Sequence, residues 1–352
     1  MRALVAYETR HSDVVGVQLL LLSLARHALD EQGRPHRVLL CFPDAPAELL
    51  DWLPTLPHVD LFDAPPGLLG GWNMKPALMT ALLEAGFEEA VFIDTDIVLT
   101  GPLERVVPTG LQPETLLVAE EYAYGQRNGG FYRTDAWGMP RGTRRPFTLN
   151  TCVLRVTGHH RRLLEHWQAW SATAEFQAAQ AEPWDRRPLH MVGGQDVLTA
   201  LAGSAAFADL PVHFARRGRA IAQCFMEDGC STLERLASLV RGGPAMVHAQ
   251  GGKPWRDHDW AMTYVQLSPY AAAAASYAAH LPGGLPWASP ERRRARLLDR
   301  LAGGHPLLRG VPHALRREAR RAVGGALRAA RLKPPPPGLR VRSEPVPSPL
   351  GC

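Results

Sequence analysis

Val91-Phe-Ile-Asp94-Thr-Asp96-Ile-Val-Leu99 is the stretch on which the fold turns. It continues an apolar run, Ala90–Ile93, that is hydrophobic on both faces, as a central parallel strand should be. Two carboxylates then interrupt the run. An Asp among apolar neighbours is costly to bury unless it is paired or metal-bound. Two carboxylates two positions apart at a strand end can converge on one hard cation. Spacing alone is weak support: with 16 Asp in the chain about one Asp-x-Asp is expected by chance, and Asp257-His-Asp259 is a second copy in a polar setting. The apolar context singles out the first copy. The structural alternative for Asp94 and Asp96 is a turn that caps the next element.

Toward the amino terminus, strand-length apolar runs alternate with helical patterns. Ala3–Tyr7 reads as a strand, Val14–Leu29 as a helix, Arg37–Phe42 as a strand and Ala47–Leu53 as a short helix. Val59–Phe62 is a weak strand, and Met74–Glu84 a helix stopped by Gly86. This alternation predicts an α/β fold with a Rossmann-like open sheet, in which ligands bind beyond the carboxyl ends of the strands. Toward the carboxyl terminus the rhythm loosens. Leu116–Ala119 reads as a strand, Glu120–Phe147 as a long polar loop, Cys152–Val156 as a strand and His159–Ala179 as an amphipathic helix. Gln195–Leu201 reads as a shorter helix and Ala245–His248 as a last buried strand. An Ala-rich helix over Tyr270–His280 precedes Arg-rich helical segments and the run Pro334–Pro337.

The 352 residues suggest two domains, or one large domain with an appendage. Apolar residues at 46% and charged residues at 21% exclude wholesale disorder. The net charge of +5 is unevenly spread: residues 289–352 carry 15 Lys/Arg against 4 Asp/Glu, net +11, which leaves −6 for the first 288. An acidic body with a basic tail points to an anionic partner for the tail. No run of ~18 uninterrupted apolar residues predicts a transmembrane helix, and the amino terminus reads as a strand rather than a signal peptide. The cysteines at 41, 152, 224, 230 and 352 are scattered, so neither a disulfide framework nor a Cys-rich zinc site is expected. A cytoplasmic protein with reduced thiols is the expectation.

A second constellation is Met246-Val-His248-Ala-Gln-Gly251-Gly252-Lys253-Pro254-Trp255. His248 ends an apolar run and offers a nitrogen ligand. The Gly pair lets backbone approach a ligand, and Lys253 supplies a cation for phosphate oxygens. Any one of these residues alone would more often be structural. Together, a metal ligand, permissive backbone and a phosphate cation are what a metal–diphosphate site needs.

With both constellations in view, the chain resembles the retaining, family-8-type glycosyltransferases of the GT-A fold, the group of glycogenin and bacterial lipopolysaccharide galactosyltransferases. Three pieces carry the resemblance: Asp94-Thr-Asp96, the run His248-x-x-Gly251-x-Lys253-Pro254-Trp255, and Asn150-Thr-Cys-Val-Leu154 followed by Gly194-Gln195-Asp196-Val-Leu198. They span about residues 3–256. The resemblance implies a GT-A mixed sheet flanked by helices, and a nucleotide-diphosphate sugar donor, usually UDP-linked. It also implies Mn²⁺ or Mg²⁺ held by Asp94, Asp96 and His248, with Lys253 and Gly251 on the diphosphate. Asn150 and Gln195 carry over as sugar contacts. Where the family has an Asp before the Gln this chain has Gly194, so a sugar-contacting carboxylate is missing or replaced by Asp196. The first loop, Tyr7-Glu-Thr9, replaces an Asp/Asn-rich sequence and leaves the base open, with Tyr7 as a donor-side candidate. Lys75 reads equally as a donor contact or as a solvated helix-terminal lysine.

On this reading residues 1–262 form the nucleotide-sugar-binding catalytic domain, 263–333 a helical Arg-rich extension and 334–352 a Pro-rich disordered tail. The expected activity is hexosyl transfer with retention to a glycan, lipid-linked or small-molecule acceptor. The leaving phosphate would take the acceptor's proton, because Gln195, an uncharged amide, is a poor nucleophile. Arg beside Leu, Val and Ala from Glu291 to Lys333 suits an anionic membrane surface, which would make the protein peripheral at the inner membrane face. A solvated helix packed on the acidic body is the plainer reading of that tail. Nucleic acid is disfavoured, since no aromatic residues interleave the basic ones. Two rival functions remain. One is a nucleotidyltransferase, disfavoured because no Gly precedes Gly16 in the first loop. The other is a non-catalytic scaffold whose tail binds an anionic partner, which Gly194 favours.

Overall fold

A computed structural model describes residues 2–63, 71–121, 130–224, 231–251, 253–256 and 269–287, with a few positions between 315 and 326. The Arg-rich segments of 291–333 are mostly outside the described residues. So are Pro334–Pro337, Gly252, Asp257-His-Asp259 and part of the loop 120–147.

The strands are β1 (Arg2–Tyr7), β2 (Val38–Cys41), β3 (Val59–Leu61), β4 (Glu89–Ile93), β5 (Ile97–Leu99), β6 (Leu116–Glu120), β7 (Leu149–Thr157), β8 (Val212–Ala215), β9 (Ile221–Gln223) and β10 (Met246–His248). The α-helices are α1 (Val14–His27), α2 (Ala47–Trp52), α3 (Lys75–Glu84), α4 (Tyr132–Ala136), α5 (Arg161–Ser171), α6 (Ala174–Ala181), α7 (Gly194–Gly203), α8 (Thr232–Arg241) and α9 (Pro269–Ala274).

Seven strands form one mixed sheet in the order β3-β2-β1-β4-β7-β6-β8. The amino-terminal half is parallel, as the alternating pattern predicts. β7 runs antiparallel to both β4 and β6. Period-2 alternation divides the core between the two faces. Val5 and Phe92 pack with α3, α5 and α7 on one side, while Leu4 and Val91 pack with α1 and α2 on the other. The α/β class and the mixed sheet flanked by helices are therefore as expected.

The expected last strand, Ala245–His248, is β10, but its pairing with β5 and β9 in a second sheet, β5-β10-β9, was not legible in the sequence. The sheet's strands are three residues long, too short to show a period. It shares a cluster with Leu19 of α1 and with Tyr270, Ala274 and Trp287, so residues 269–287 pack into the body. β9 and β10 are parallel, with α8 as their crossover. α8 turns Leu233, Leu236 and Val240 outward and buries Arg235 and Ser238.

Three further expectations are corrected. His159–Ala179 is not one helix. Thr173 is extended, and its hydroxyl donates to the Trp170 carbonyl at 2.9 Å, while the Gln177 amide donates to the Ser171 carbonyl. Such local bonds compete with helix continuation, so α5 and α6 are separate. The loop 120–147 contains α4, whose Arg133 turns inward to a buried acid. The Ala-rich segment is helical only over α9 and continues as a 3₁₀ turn, Ala275–His280. Among the described residues no helix is long and apolar enough to cross a membrane.

Candidate metal and donor site

Two backbone pairings assemble the site. After Ile93 the chain leaves the main sheet, and Asp94, Thr95 and Asp96 bridge to β5. β10 pairs antiparallel with β5, with Met246 opposite Leu99 and His248 opposite Ile97. That register sets His248 beside the residue that follows Asp96, and the Ala249 N–H donates to the Asp96 carbonyl at 2.9 Å. Asp94, Asp96 and His248 each offer one ligand atom, and these atoms lie within 4.8 Å of one another. His248 Nε2 is 3.2 Å from Asp96 Oδ1.

Two oxygens and an imidazole nitrogen are a donor set that can hold a divalent cation. The carboxylates already draw cations. Lys75 Nζ donates to Asp94 Oδ1 at 2.8 Å, to the Thr151 carbonyl at 2.9 Å and to Thr151 Oγ1 at 3.2 Å. It also lies 4.5 Å from the centre of the Phe92 ring. Lys75 is only 5% exposed, so it is not a solvated helix-terminal lysine. Lys253 Nζ donates to Asp96 Oδ2 and, at 2.6 Å, to the Ala249 carbonyl. Burial pushes the Lys253 ammonium down to about 7, with Arg10 and Arg256 acting in the same direction. Burial works against ionised Asp94, but Lys75 and His248 outweigh it and hold that carboxyl below its usual range. Burial also disfavours charged His248, yet Cys152 and the carboxylates of Asp94 and Glu121 lift it above its ordinary value.

A cation ligand must be deprotonated, so metal affinity follows these protonation states. Because the His248 pKa is raised, imidazolium persists closer to neutrality and competes with the cation below that pKa. Mn²⁺ affinity is therefore expected to climb as pH rises from mildly acid to mildly alkaline and the imidazolium loses its proton. Calorimetric titration across that range checks it, and a flat profile would contradict it.

The triad lies in a cavity of about 290 Å³ whose lining includes Tyr7, Lys75, Asn150, Gln195, Asp196, Gly251 and Lys253. All the sequence-derived site residues thus meet in one place. The first loop closes one side. Glu8, buried, accepts from Thr95 Oγ1 at 2.7 Å and from Arg10 Nε at 2.8 Å and Nη2 at 2.9 Å. Asp13 accepts from Trp255 Nε1 at 2.9 Å and from Arg256 Nη2 at 2.7 Å, tying the run after His248 to the start of α1. Gly16 makes this contact close: a Cβ there would lie 2.7 Å from the Trp255 ring.

Gly194 sits in a crowded place. Its N–H donates to Asn73 Oδ1 at 2.9 Å, and a Cβ would come within 3.1 Å of that oxygen and 3.3 Å of Trp167 Nε1. Asp196 is 2% exposed and both its oxygens are engaged, Oδ1 by Arg133 Nε at 2.6 Å and Oδ2 by the Gly193 N–H at 3.0 Å. Sequence reasoning missed Glu8 and Glu121. Glu121 is 1% exposed and accepts from Asn150, Gln195 and Gln250. It stands at the head of a polar loop in no recognisable motif, so no local signal could have found it.

No protein-family model and no curated protein matches the sequence. Solved structures are similar. The galactosyltransferase LgtC, in complex with donor and acceptor sugar analogues, is 17% identical, with a TM-score of 0.49 over 84% of this chain and 100% of that one. The bifunctional glycosyltransferase WbbM, in its apo form, is 12% identical, with a TM-score of 0.47 over 76% of this chain and 51% of that one. Mouse xyloside xylosyltransferase 1 is 13% identical, with a TM-score of 0.43 over 71% and 98%. The chain spans about half the length of WbbM.

Proposed function

We propose that the chain is a metal-dependent glycosyltransferase that moves a sugar, with retention, from a nucleotide-diphosphate donor, UDP-linked, to a glycan, lipid-linked or small-molecule acceptor. The observation that carries this reading is the convergence of Asp94, Asp96 and His248, far apart in sequence, on one point of a cavity that also holds Lys253. A vestigial scaffold has no need of such a donor set, with two buried lysines on its carboxylates.

In this reading Asp94, Asp96 and His248 hold Mn²⁺ or Mg²⁺, which when bound neutralises charge on the diphosphate leaving group. Lys253 and the backbone at Gly251 take the diphosphate oxygens and add preorganised positive potential. Lys75 orients Asp94, and Tyr7 lies on the donor side. Asn150 and Gln195 contact the donor sugar. Asp196 braces the start of α7 instead of touching the sugar. The leaving phosphate accepts the acceptor's proton during same-face attack.

The test is a screen of sugar nucleotides, each with and without Mn²⁺, for stabilisation and slow hydrolysis; a bound donor raises apparent stability by mass action. Metal-dependent cleavage of one donor is expected. If no donor is bound or cleaved, the reading fails, and a product of inverted anomeric configuration or a glycosyl adduct on Gln195 would overturn its stereochemical part.

The acceptor side includes an anionic membrane surface. The support is the +11 of residues 289–352 and a run of outward aliphatic residues, Leu233, Leu236 and Val240 on α8 with Leu315 and Val323. Glu318 accepts from the Thr232 N–H at 3.0 Å, which brings the two segments together. Exposed aliphatic side chains beside arginines are what an interfacial segment presents to acidic lipid. The protein should co-sediment with vesicles containing phosphatidylserine, and lose this without residues 289–352. Equal pelleting of both forms overturns it.

A further inference from the structure

We infer that Glu121 is a positioning residue that decides which way three amide side chains of the cavity face. The inference rests on the glycosyltransferase reading above and concerns how that site is held in shape.

Glu121 Oε2 accepts from Asn150 Nδ2 at 2.8 Å and from Gln195 Nε2 at 2.7 Å, while Oε1 accepts from Gln250 Nε2 at 2.8 Å. The three amides come from β7, from the first turn of α7 and from the segment after β10. An amide can turn over and exchange its NH₂ for its oxygen at nearly constant shape. An ionised carboxylate removes that freedom, because it has only acceptors and each amide must offer it NH₂. The orientations therefore follow from chemistry.

Three consequences bear on the cavity. The Asn150 oxygen faces away from Glu121 and accepts the Cys152 N–H at 2.8 Å. Gln195, partly exposed in the lining, has its NH₂ held by Glu121, so it turns its oxygen to the cavity as an acceptor for a donor hydroxyl. Gln250 ties the segment bearing Gly251 and Lys253 to the opposite wall.

The backbone is shaped to bring Glu121 there. Val118 lies opposite Leu154, but the register then breaks and Ala119 lies opposite Asn150 instead of Val153. An irregularity of this kind re-aims side chains near sites, and here it sets Glu121 beside Thr148, whose carbonyl accepts the Glu121 N–H at 3.0 Å.

The test uses the full chain with the donor found in the screen. Gln at 121 has one oxygen and one NH₂, so it cannot satisfy three NH₂ groups, and at least one amide must turn. Glu121→Gln is expected to keep its fold and lose about 100-fold in kcat, the scale of a contact displaced by ~1 Å. Glu121→Asp should recover about tenfold of that, because charge is retained. Gln250→Leu should raise the donor KM about tenfold, because it releases the segment that bears Gly251 and Lys253. Independently of turnover, ¹⁵N-glutamine labelling should show the NH₂ signals of Gln195 and Gln250 shifted in Glu121→Gln. A folded Glu121→Gln with kcat within about threefold of wild type and unmoved NH₂ signals overturns the inference. If that variant does not fold, an unchanged KM in Gln250→Leu overturns it. A wild-type protein that handles no donor sinks the proposed function, and the ¹⁵N signals then test the amide orientation alone.

Discussion

Asp96→Asn is expected to lower metal-dependent donor turnover by about 100- to 1000-fold, the equivalent of ~3–4 kcal/mol of transition-state stabilisation. The asparagine keeps the shape but removes the charge that a hard cation needs, so calorimetry should show weaker Mn²⁺ binding in the same variant. The substitution also reaches Lys253. Lys253 is 7% exposed, and among the described residues its ammonium donates to Asp96 and to the Ala249 carbonyl. Removing one partner of a buried pair costs about 3–5 kcal/mol when the survivor stays charged. Lys253 can relieve part of this by releasing its proton, since burial has already brought it down to about 7. The sign follows. A lysine whose folded pKa is depressed favours the fold more as pH rises from the folded value toward the unfolded one. Wild-type Lys253 makes the same gain above about pH 7, so the melting deficit of Asp96→Asn should shrink as pH rises toward about 7 and stay level above it. Turnover and Mn²⁺ affinity equal to wild type would remove the metal site, and with it the proposed function.

Asp196→Ala is expected to cost about 3–5 kcal/mol of stability, because it leaves the Arg133 guanidinium buried without its carboxylate. Side-chain exposures of 4% for Arg133 and 3% for Asp196 leave little water to compensate. The substitution also frees the Gly193 N–H at the start of α7, a capping loss of ~1 kcal/mol. The signature that separates an ion pair from general packing is the double variant. Arg133→Met with Asp196→Leu removes both charges and should be less destabilised than Asp196→Ala alone. Urea titration of the three proteins decides. A deficit below ~1 kcal/mol for Asp196→Ala would show that Arg133 does not depend on it. Loss of turnover in Asp196→Asn with an unshifted melt would instead return Asp196 to the donor sugar.

These predictions mark where sequence reasoning was strong and where it was blind. Asp94, Asp96 and His248 stood out because charged or ligating side chains follow apolar runs, where their desolvation needs a reason. Most strands and helices of the first ninety-odd residues were legible because apolar runs of strand length alternate there with helical patterns. β10 was legible as the buried run Ala245–His248, but β5 and β9 are three residues each, and no period can be read from three residues. Asp196 illustrates a subtler limit. Its place in a recognisable segment was visible, but Arg133, which engages it, lies 63 positions away in what read as a loop.

Local chemistry along the chain thus sufficed for the parallel half of the sheet, for the identity of the three metal-ligand candidates and for the lysine beside them, because periodicity and burial cost are properties of neighbours. Three-dimensional packing alone decided that β7 reverses, that β5 and β10 pair, that Lys75 turns inward and that one glutamate gathers three amides. Those outcomes depend on register and side-chain competition between segments far apart in the chain, and no stretch of residues encodes them separately.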